Sequence, residues 1–365
     1  MASLYRAYRP RTLADLIGQD QVAATLRSAA ASGLLGHAYL FSGPRGTGKT
    51  TTARILAKLL VCRKREEDPS FAQEGEACND CDRCRAVDAG SLMDVVEIDA
   101  ASNRGIDEIR DLRERIRAVP TQGPKKVYIV DEAHMLTTPA WNALLKTLEE
   151  PPAHGVIVLA TTDPGKLPQT IRSRVQRFSF RRPGKRDLVA KLRAVADAEK
   201  IAVDDGALEI IAAASGGSFR DAESLLEQVR GNGEVTTELL EQLFGRTSGT
   251  RVHALASAIV TKDGAEALRL LHESEISGAN LTDLVRSLIH YLRSATTLAA
   301  EPSLAELYAD TLTNDELASL QELAQMLDPR HGVTLVRSLL AAYREQRTSP
   351  FESVPLEIAI VEATR

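Results

Sequence analysis

At 365 residues the chain exceeds one typical core, so two or three domains are expected. With 44% hydrophobic, 26% charged and only 4% aromatic residues it has an ordinary soluble composition, whose cores Leu, Val, Ile and Ala must fill. A net charge of −5 excludes a uniformly basic nucleic-acid coat but not a local basic surface.

The opening Met1-Ala2-Ser3-Leu4-Tyr5-Arg6 leads into Arg and Pro rather than an apolar core, so no secretory leader is expected. No apolar run approaches membrane-spanning length, and the expected location is cytoplasmic. The lead-in through Arg11 is basic, aromatic and without periodicity. A helix entered at Asp15–Asp20 follows, with Val22, Leu26 and Ala29 on one face, stopped near Gly33. Such a segment either wraps the base of a nucleotide, with Ala7 and Tyr8 as contacts, or is an arm that ties down the domain.

The strongest signal comes next. Gly43-Pro44-Arg45-Gly46-Thr47-Gly48-Lys49-Thr50 fits G-x-x-x-x-G-K-[ST], with Thr51 just beyond it. His37–Phe41 before it is short enough for a buried strand. Thr51–Leu60 after it carries Ile55, Leu56, Leu59 and Leu60 at helical spacing. The glycines let backbone N–H groups turn toward phosphate oxygens, and the helix N-terminus adds partial positive charge. Lys49 then reaches the β- and γ-phosphates of a nucleotide, and the Thr50 hydroxyl ligates Mg²⁺.

All four cysteines fall in one patch: Cys62, then Cys78, Cys81 and Cys84. Four thiolates this close suit a closed, structural zinc site, and an iron–sulfur cluster is the competitor. The polar insert from Arg63 to Ala77 is expected as a loop that needs this staple.

Val95–Ile98 reads as a second strand, and Ile106–Val119 as a helix with Ile109, Leu112 and Ile116 on its apolar face. Arg104 and Arg110 near its start are either phosphate-backbone contacts or solvated helix-face charges. Val127–Val130 reads as a buried parallel strand with Asp131 and Glu132 at its carboxyl end, where doubly wound sheets bind ligands. Asp131 is assigned to Mg²⁺ and Glu132 to polarising the attacking water. A helix capped by Thr138 with Pro139 in its first turn runs to Pro151, and its Trp141 reads as core rather than ligand contact. Val156–Ala160 is a fourth strand, with Thr161 and Thr162 placed to sense the γ-phosphate or the attacking water. Ile171–Val175 closes the α/β region near Phe180.

These residues converge on a known pattern. The P-loop, Asp131-Glu132-Ala133-His134, Thr161 and Ser173-Arg174 resemble ATPases of the AAA+ superfamily. The cysteine insert, Leu144–Pro152, Leu159–Pro164, Tyr8-Arg9-Pro10 and Gly18-Gln19 narrow the resemblance to the γ/τ family of bacterial clamp loaders. That resemblance is dense to about residue 225 and weaker beyond. It implies that Arg174 acts as an arginine finger in a neighbouring subunit's site. Its motif here is Ser-Arg-Val instead of the usual Ser-Arg-Cys. It also implies that Arg220, within Gly217–Asp221, reaches ATP from a lid.

The implied architecture is an α/β P-loop domain with the cysteine insert over 1–180, a small helical lid over 181–243 and an all-α collar over 244–365. Leu188, Leu192, Val195, Leu208, Ile211, Ala212, Leu225 and Val229 are the expected lid core. Val252, Leu255, Ala256 and Ile259, then Leu281, Leu284, Val285, Leu288, Ile289 and Leu292, are the expected collar faces. A simple intramolecular bundle explains that third block equally well.

The family implies ATP hydrolysis that opens and loads a sliding clamp at primer–template DNA. It implies a hetero-pentameric ring with further copies of the chain and other loader subunits. A longer form would continue past Arg365 into polymerase- and helicase-binding segments. Two rival readings are a non-hydrolysing ring scaffold, which the intact Lys49, Thr50 and Glu132 oppose, and an AAA+ remodeller of proteins or branched DNA, which the cysteine insert opposes. Polymerisation chemistry has no support, because no acidic two-metal palm pattern is visible.

Overall fold

The computed structural model describes residues 3–237, 239–240, 249–276, 280–309, 312, 314–346 and 349–365. Two compact units divide the chain: residues 1–200 with 211–231, and residues 201–210 with 232–365. The expected boundary between lid and collar, at residues 243 and 244, lies outside the described residues.

In the first unit, β1 (Ala38–Ser42), β2 (Val95–Asp99), β3 (Lys126–Asp131), β4 (Gly155–Thr161) and β5 (Gln176–Ser179) form one parallel sheet in the order β2-β3-β4-β1-β5. The inner strands are nearly continuous apolar runs because helices cover both faces. Alternate residues divide between those faces. Tyr39, Phe41, Val127, Ile129 and Val158 pack with Ala53 and Leu56 of α2 (Lys49–Val61) and Leu26 of α1 (Asp20–Ala31). Leu40, Tyr128, Val130, Ile157 and Leu159 pack with α4 (Ile106–Arg117) and α5 (Thr138–Glu149). Trp141 lies in this second core.

Three local expectations need correction. Strand β5 was not anticipated: Gln176, Arg177 and Ser179 are polar, and only Phe178 turns inward, at 5.7 Å edge-to-face from Phe41. The α5 cap is Thr137, whose Oγ1 accepts from Ala140 N at 3.4 Å, one residue before the expected Thr138. The insert after α2 is not a loop. It forms the single turns Arg63–Glu67 and Pro69–Ala72, then α3 (Asp82–Ala89). Arg65 holds this segment by donating to the carbonyls of Leu59, Ala72, Glu76 and Ala30, while Asp68 caps Ser70 and Phe71.

Helices α6 (Lys185–Glu199), α7 (Asp205–Ala214) and α8 (Phe219–Val229) follow the sheet. On α8 the buried leucine is Leu226; the expected Leu225 is only half-buried.

The second unit includes α9 (Gly249–Val260), α10 (Gly264–Ile276), α11 (Leu281–Ala300), α12 (Asn314–Met326), α13 (Pro329–Gln346) and α14 (Val354–Thr364). The long α11 buries Leu284, Leu288, Leu292 and Leu298 against the others. Val252, Leu255, Ala256 and Ile259 join the same core.

Candidate active site: a P-loop cradle at the strand ends

The loop Gly43–Gly48 leaves the carboxyl end of β1 and opens α2. Gly48 caps that helix with φ +99°, left-handed backbone that favours glycine. Gly46, at φ +74°, is required twice over: a Cβ there would stand 1.9 Å from Ser218 Oγ. The loop therefore lies directly against the cap of α8, whose Phe219 N–H donates to Gly46 O at 3.1 Å. Lys49 is 6% exposed, and its Nζ donates to the carbonyls of Gly43 at 2.8 Å and Pro44 at 2.7 Å. Burial lowers its pKa, opposed by the nearby Glu132 and Asp131.

Strand β3 delivers the acids. Asp131 Oδ2 accepts from Thr50 Oγ1 at 2.7 Å. Glu132 follows in left-handed backbone at φ +47°, an outlier of the kind held at functional sites by its surroundings. Its Oε2 accepts from Thr162 Oγ1 at 3.1 Å and lies 3.3 Å from His134 Nδ1. One cavity takes in Arg45 to Thr51, Asp131 and Glu132 at one end. Leu16, Ile17 and Pro10 form its apolar part, and Lys191, Arg220 and Glu223 come from α6 and α8.

The other expected site residues distribute unevenly around this cavity. Arg220 lines it, with its guanidinium 4.8 Å over the Tyr5 ring. Gly43 and Pro44 stand behind it as acceptors for Lys49. Thr161 is fully buried, and its Oγ1 meets His134 Nδ1 at 3.0 Å; it does not face the cavity, whereas Thr162 reaches Glu132. Ala7 and Tyr8 do not line it either, because Tyr8 turns toward α6 and donates to Glu199 at 2.9 Å. The lead-in residues on the wall are Tyr5, Arg9 and Pro10. Arg174 lies outside its own chain's cavity, about one-third exposed, paired with Glu149 at 2.8 Å and donating to Thr170 O at 2.7 Å. Arg110 is paired with Asp107 at 3.1 Å, and Arg104 donates to Ala101 O at 2.9 Å.

Lys191 and Glu223 escaped the sequence reading, and Gln19 entered it only through the family resemblance, without a role. Glu223 stands three residues after Arg220 on one helix face, a spacing that signals a shared cavity. Gln19 exchanges two hydrogen bonds with the backbone of Arg181, clamping the segment between sheet and α6.

Beyond α2 the four cysteine sulfurs all lie within 4.8 Å of one another. Tetrahedral zinc–thiolate bonds imply S···S separations of ~3.8 Å; Cys78 and Cys84 stand at 4.0 Å. The N–H groups of Cys78, Cys81 and Cys84 each point to a neighbouring sulfur at 3.3–3.5 Å. A hydrogen bond from Cys84 holds Cys62 down at about 4 against burial, and the same bond with burial pushes Cys84 far up. Cys62 and Cys84 thus share a proton, and a divalent cation set among the four sulfurs would favour thiolates. The donor set therefore fits zinc.

The five-stranded parallel sheet, with the glycine loop and its lysine at the strand ends, has the fold of P-loop proteins of the AAA+ class. Comparison with known proteins narrows this. Residues 18–184 match the family profile described as DNA polymerase III, delta subunit. Residues 187–233 match the clamp loader subunit ATPase lid domain, and residues 235–365 match domain III of DNA polymerase III subunits gamma and tau. The chain is 39% identical over 362 residues to the DNA polymerase III subunit tau of Bacillus subtilis, covering 99% of this chain and 62% of that one. It is 35% identical over 365 residues to the subunit tau of Escherichia coli, covering 99% and 55%. The chain belongs to the γ/τ family of DNA polymerase III. It spans between about half and two-thirds of the length of these relatives. Solved RuvB of Thermotoga maritima superposes with a TM-score of 0.49 at 20% identity over 77% of this chain and 85% of that one, too loosely to carry an argument.

Proposed function

We propose that this chain binds and hydrolyses ATP as a subunit of a replicative clamp loader, opening a sliding clamp and placing it on primer–template DNA. The observation that carries this reading is the constellation beside the loop Gly43–Gly48: Lys49, Thr50 and Asp131 held by contacts of 2.7–2.8 Å, with Glu132 held by Thr162 at 3.1 Å. The loop N–H groups from Arg45 to Thr51 would bind the triphosphate, and Lys49 would exchange its two loop carbonyls for phosphate oxygens. Thr50 and Asp131 would hold Mg²⁺, which when bound neutralises charge on the phosphates. Glu132, held by Thr162 and His134, accepts a proton from the attacking water. In this reading Thr161 acts through His134 rather than on the phosphate.

Arg220 contributes from the lid and Arg174 from a neighbouring subunit. Exposure of Arg174 away from its own cavity supports action in trans. Such a finger is worth about 10³–10⁵ in rate. The lid is read as 181–243 and the collar as 244–365, the collar joining a hetero-pentameric ring with further copies and other subunits. Exposed Val333 and Leu340 of α13 and Ile358 of α14 support a ring contact there. The cysteine cluster would hold a structural zinc ion. DNA contact would follow backbone shape, with Arg104 as a candidate. No described helix is long and apolar enough to cross a membrane, and the place of action is read as the cytoplasm. A longer form would add polymerase- and helicase-binding segments.

The deciding experiment compares ATPase rates of the assembled complex with clamp plus primed DNA, with primed DNA alone and with unfolded protein. Clamp plus primed DNA should stimulate most, and Lys49→Ala should abolish the rate. Stimulation by unfolded protein alone would reject the clamp-loading reading.

A further inference from the structure

A second cavity of about 520 Å³ lies beside the first, between the lead-in, α2 and the end of α3. Its wall carries Arg6, Arg9, Arg11, Arg54, Lys58 and Arg220 against a single acid, Asp88. Two of these cations are already neutralised: Lys58 pairs with Asp88 at 3.0 Å and Arg54 with Glu97 at 2.7 Å. Among the described residues no carboxylate pairs with Arg6, Arg9, Arg11 or Arg220. Two of them crowd one ring: Arg6 lies 5.6 Å and Arg220 4.8 Å from the centre of Tyr5, whose hydroxyl accepts from Arg6 Nε at 3.0 Å. Burial lowers the Arg9 pKa, and repulsion from Arg54 and Arg220 adds to this against the pull of Glu97 and Tyr5. A fold that gathers unpaired guanidinium groups around one hollow gains by admitting an anion. Guanidinium forks match phosphate oxygens in pairs.

We propose that this cavity is a second anion site that takes a polyphosphate-class oxyanion and shares Arg220 with the nucleotide cavity. Tyr5, Arg9, Pro10 and Arg220 line both hollows. This regulatory part rests on reading the neighbouring cavity as the ATP site. An anion held here keeps Arg220 on the Tyr5 side, away from the γ-phosphate. ATP then still binds the P-loop but is cut more slowly. By linkage, nucleotide that recruits Arg220 weakens the second anion by the same factor. The phosphate has two possible sources, a free polyphosphate or a nucleic-acid backbone.

The test titrates pyrophosphate into the full chain saturated with Mg·ATPγS, so that the P-loop is filled. One equivalent should bind. The Arg6→Ala/Arg11→Ala variant removes two exposed side chains and should weaken that binding tenfold or more while leaving ATPγS affinity unchanged. In the assembled complex pyrophosphate should lower kcat for the parent and not for the variant. Failure of pyrophosphate to bind the loaded chain, equal binding by the variant, or inhibition that disappears as ATP is raised would overturn the proposal. Displacement by primed DNA assigns the phosphate to a nucleic-acid backbone; persistence beside DNA assigns it to a free anion. If ATPγS itself does not bind, the reading of the first cavity fails. The effect of the variant on pyrophosphate still decides the second.

Discussion

Glu223→Gln should stabilise the first unit in alkaline solution and leave it nearly unchanged in acid. Glu223 is 4% exposed on α8, and its Oε1 has no hydrogen-bond partner. Lys191 Nζ stands 3.7 Å away, an ion pair too long to be a hydrogen bond. Burial is the larger influence and pushes the carboxyl up from 4.5 to about 7, with Lys191 and Arg9 opposing it. A carboxyl raised in the folded state binds its proton more tightly there than in the unfolded chain. The resulting stability is fully present below pH 4.5 and is lost as the pH rises through about 7. At about 1.4 kcal/mol per unit, ionising this buried group costs roughly 3 kcal/mol, of which roughly 2.5 is lost between pH ~5 and ~8.5. Glutamine keeps the shape without the ionisation, so the variant should gain about that much on the parent across the same range. Urea unfolding followed by fluorescence suits the question, because the single tryptophan, Trp141, is buried in the core of this unit. Parent and variant curves that run parallel in pH, within ~1 kcal/mol, would refute the reasoning.

Four further outcomes follow from other contacts. Arg174→Ala should bind ATP normally yet lose about 10³-fold in DNA-stimulated hydrolysis by the assembled complex; an undiminished rate rejects the finger. Gly46→Ala forces a Cβ to 1.9 Å from Ser218 Oγ at φ +74°, so affinity for a fluorescent ATP analogue should fall at least ~10-fold, and a change within ~2-fold contradicts the contact. Asp94 is fully buried and accepts from the N–H groups of Thr121, Gln122 and Gly123, so Asp94→Ala should cost about 3 kcal/mol in urea unfolding. Protein purified without added metal should carry about one zinc per chain by elemental analysis, lost in Cys84→Ser; iron with visible absorbance would exclude zinc.

The sequence revealed what local chemistry determines. The P-loop glycines, the buried runs of β1, β3 and β4, and the cysteine spacing each act within a few residues. Arg65 shows the opposite case. Its charge marked the insert as a loop, yet four carbonyls spread from Ala30 to Glu76 turn that same guanidinium into the brace of the segment. Tyr5, Arg9, Lys191 and Glu223 likewise meet only after folding, since the whole α/β sheet lies in sequence between the lead-in and α6 and α8. Strand β5 stayed hidden because an edge strand needs only one inward side chain, and Phe178 alone carries no period.

The pair Thr161 and Thr162 was nevertheless within reach. Successive residues at a strand end point to opposite sides, so two adjacent threonines cannot share one role. Thr161 is the last residue of β4, paired with Ser42 of β1, and its hydroxyl goes inward to His134. Thr162 has left the ladder and is free to meet Glu132. His134 touches both, at 3.0 Å from Thr161 Oγ1 and 3.3 Å from Glu132 Oε2. The buried threonine therefore bears on the carboxylate through the imidazole, and the half-buried one bears on it directly. Any shift of β4 relative to β3 moves both contacts together, which ties the orientation of Glu132 to the packing of the sheet behind it.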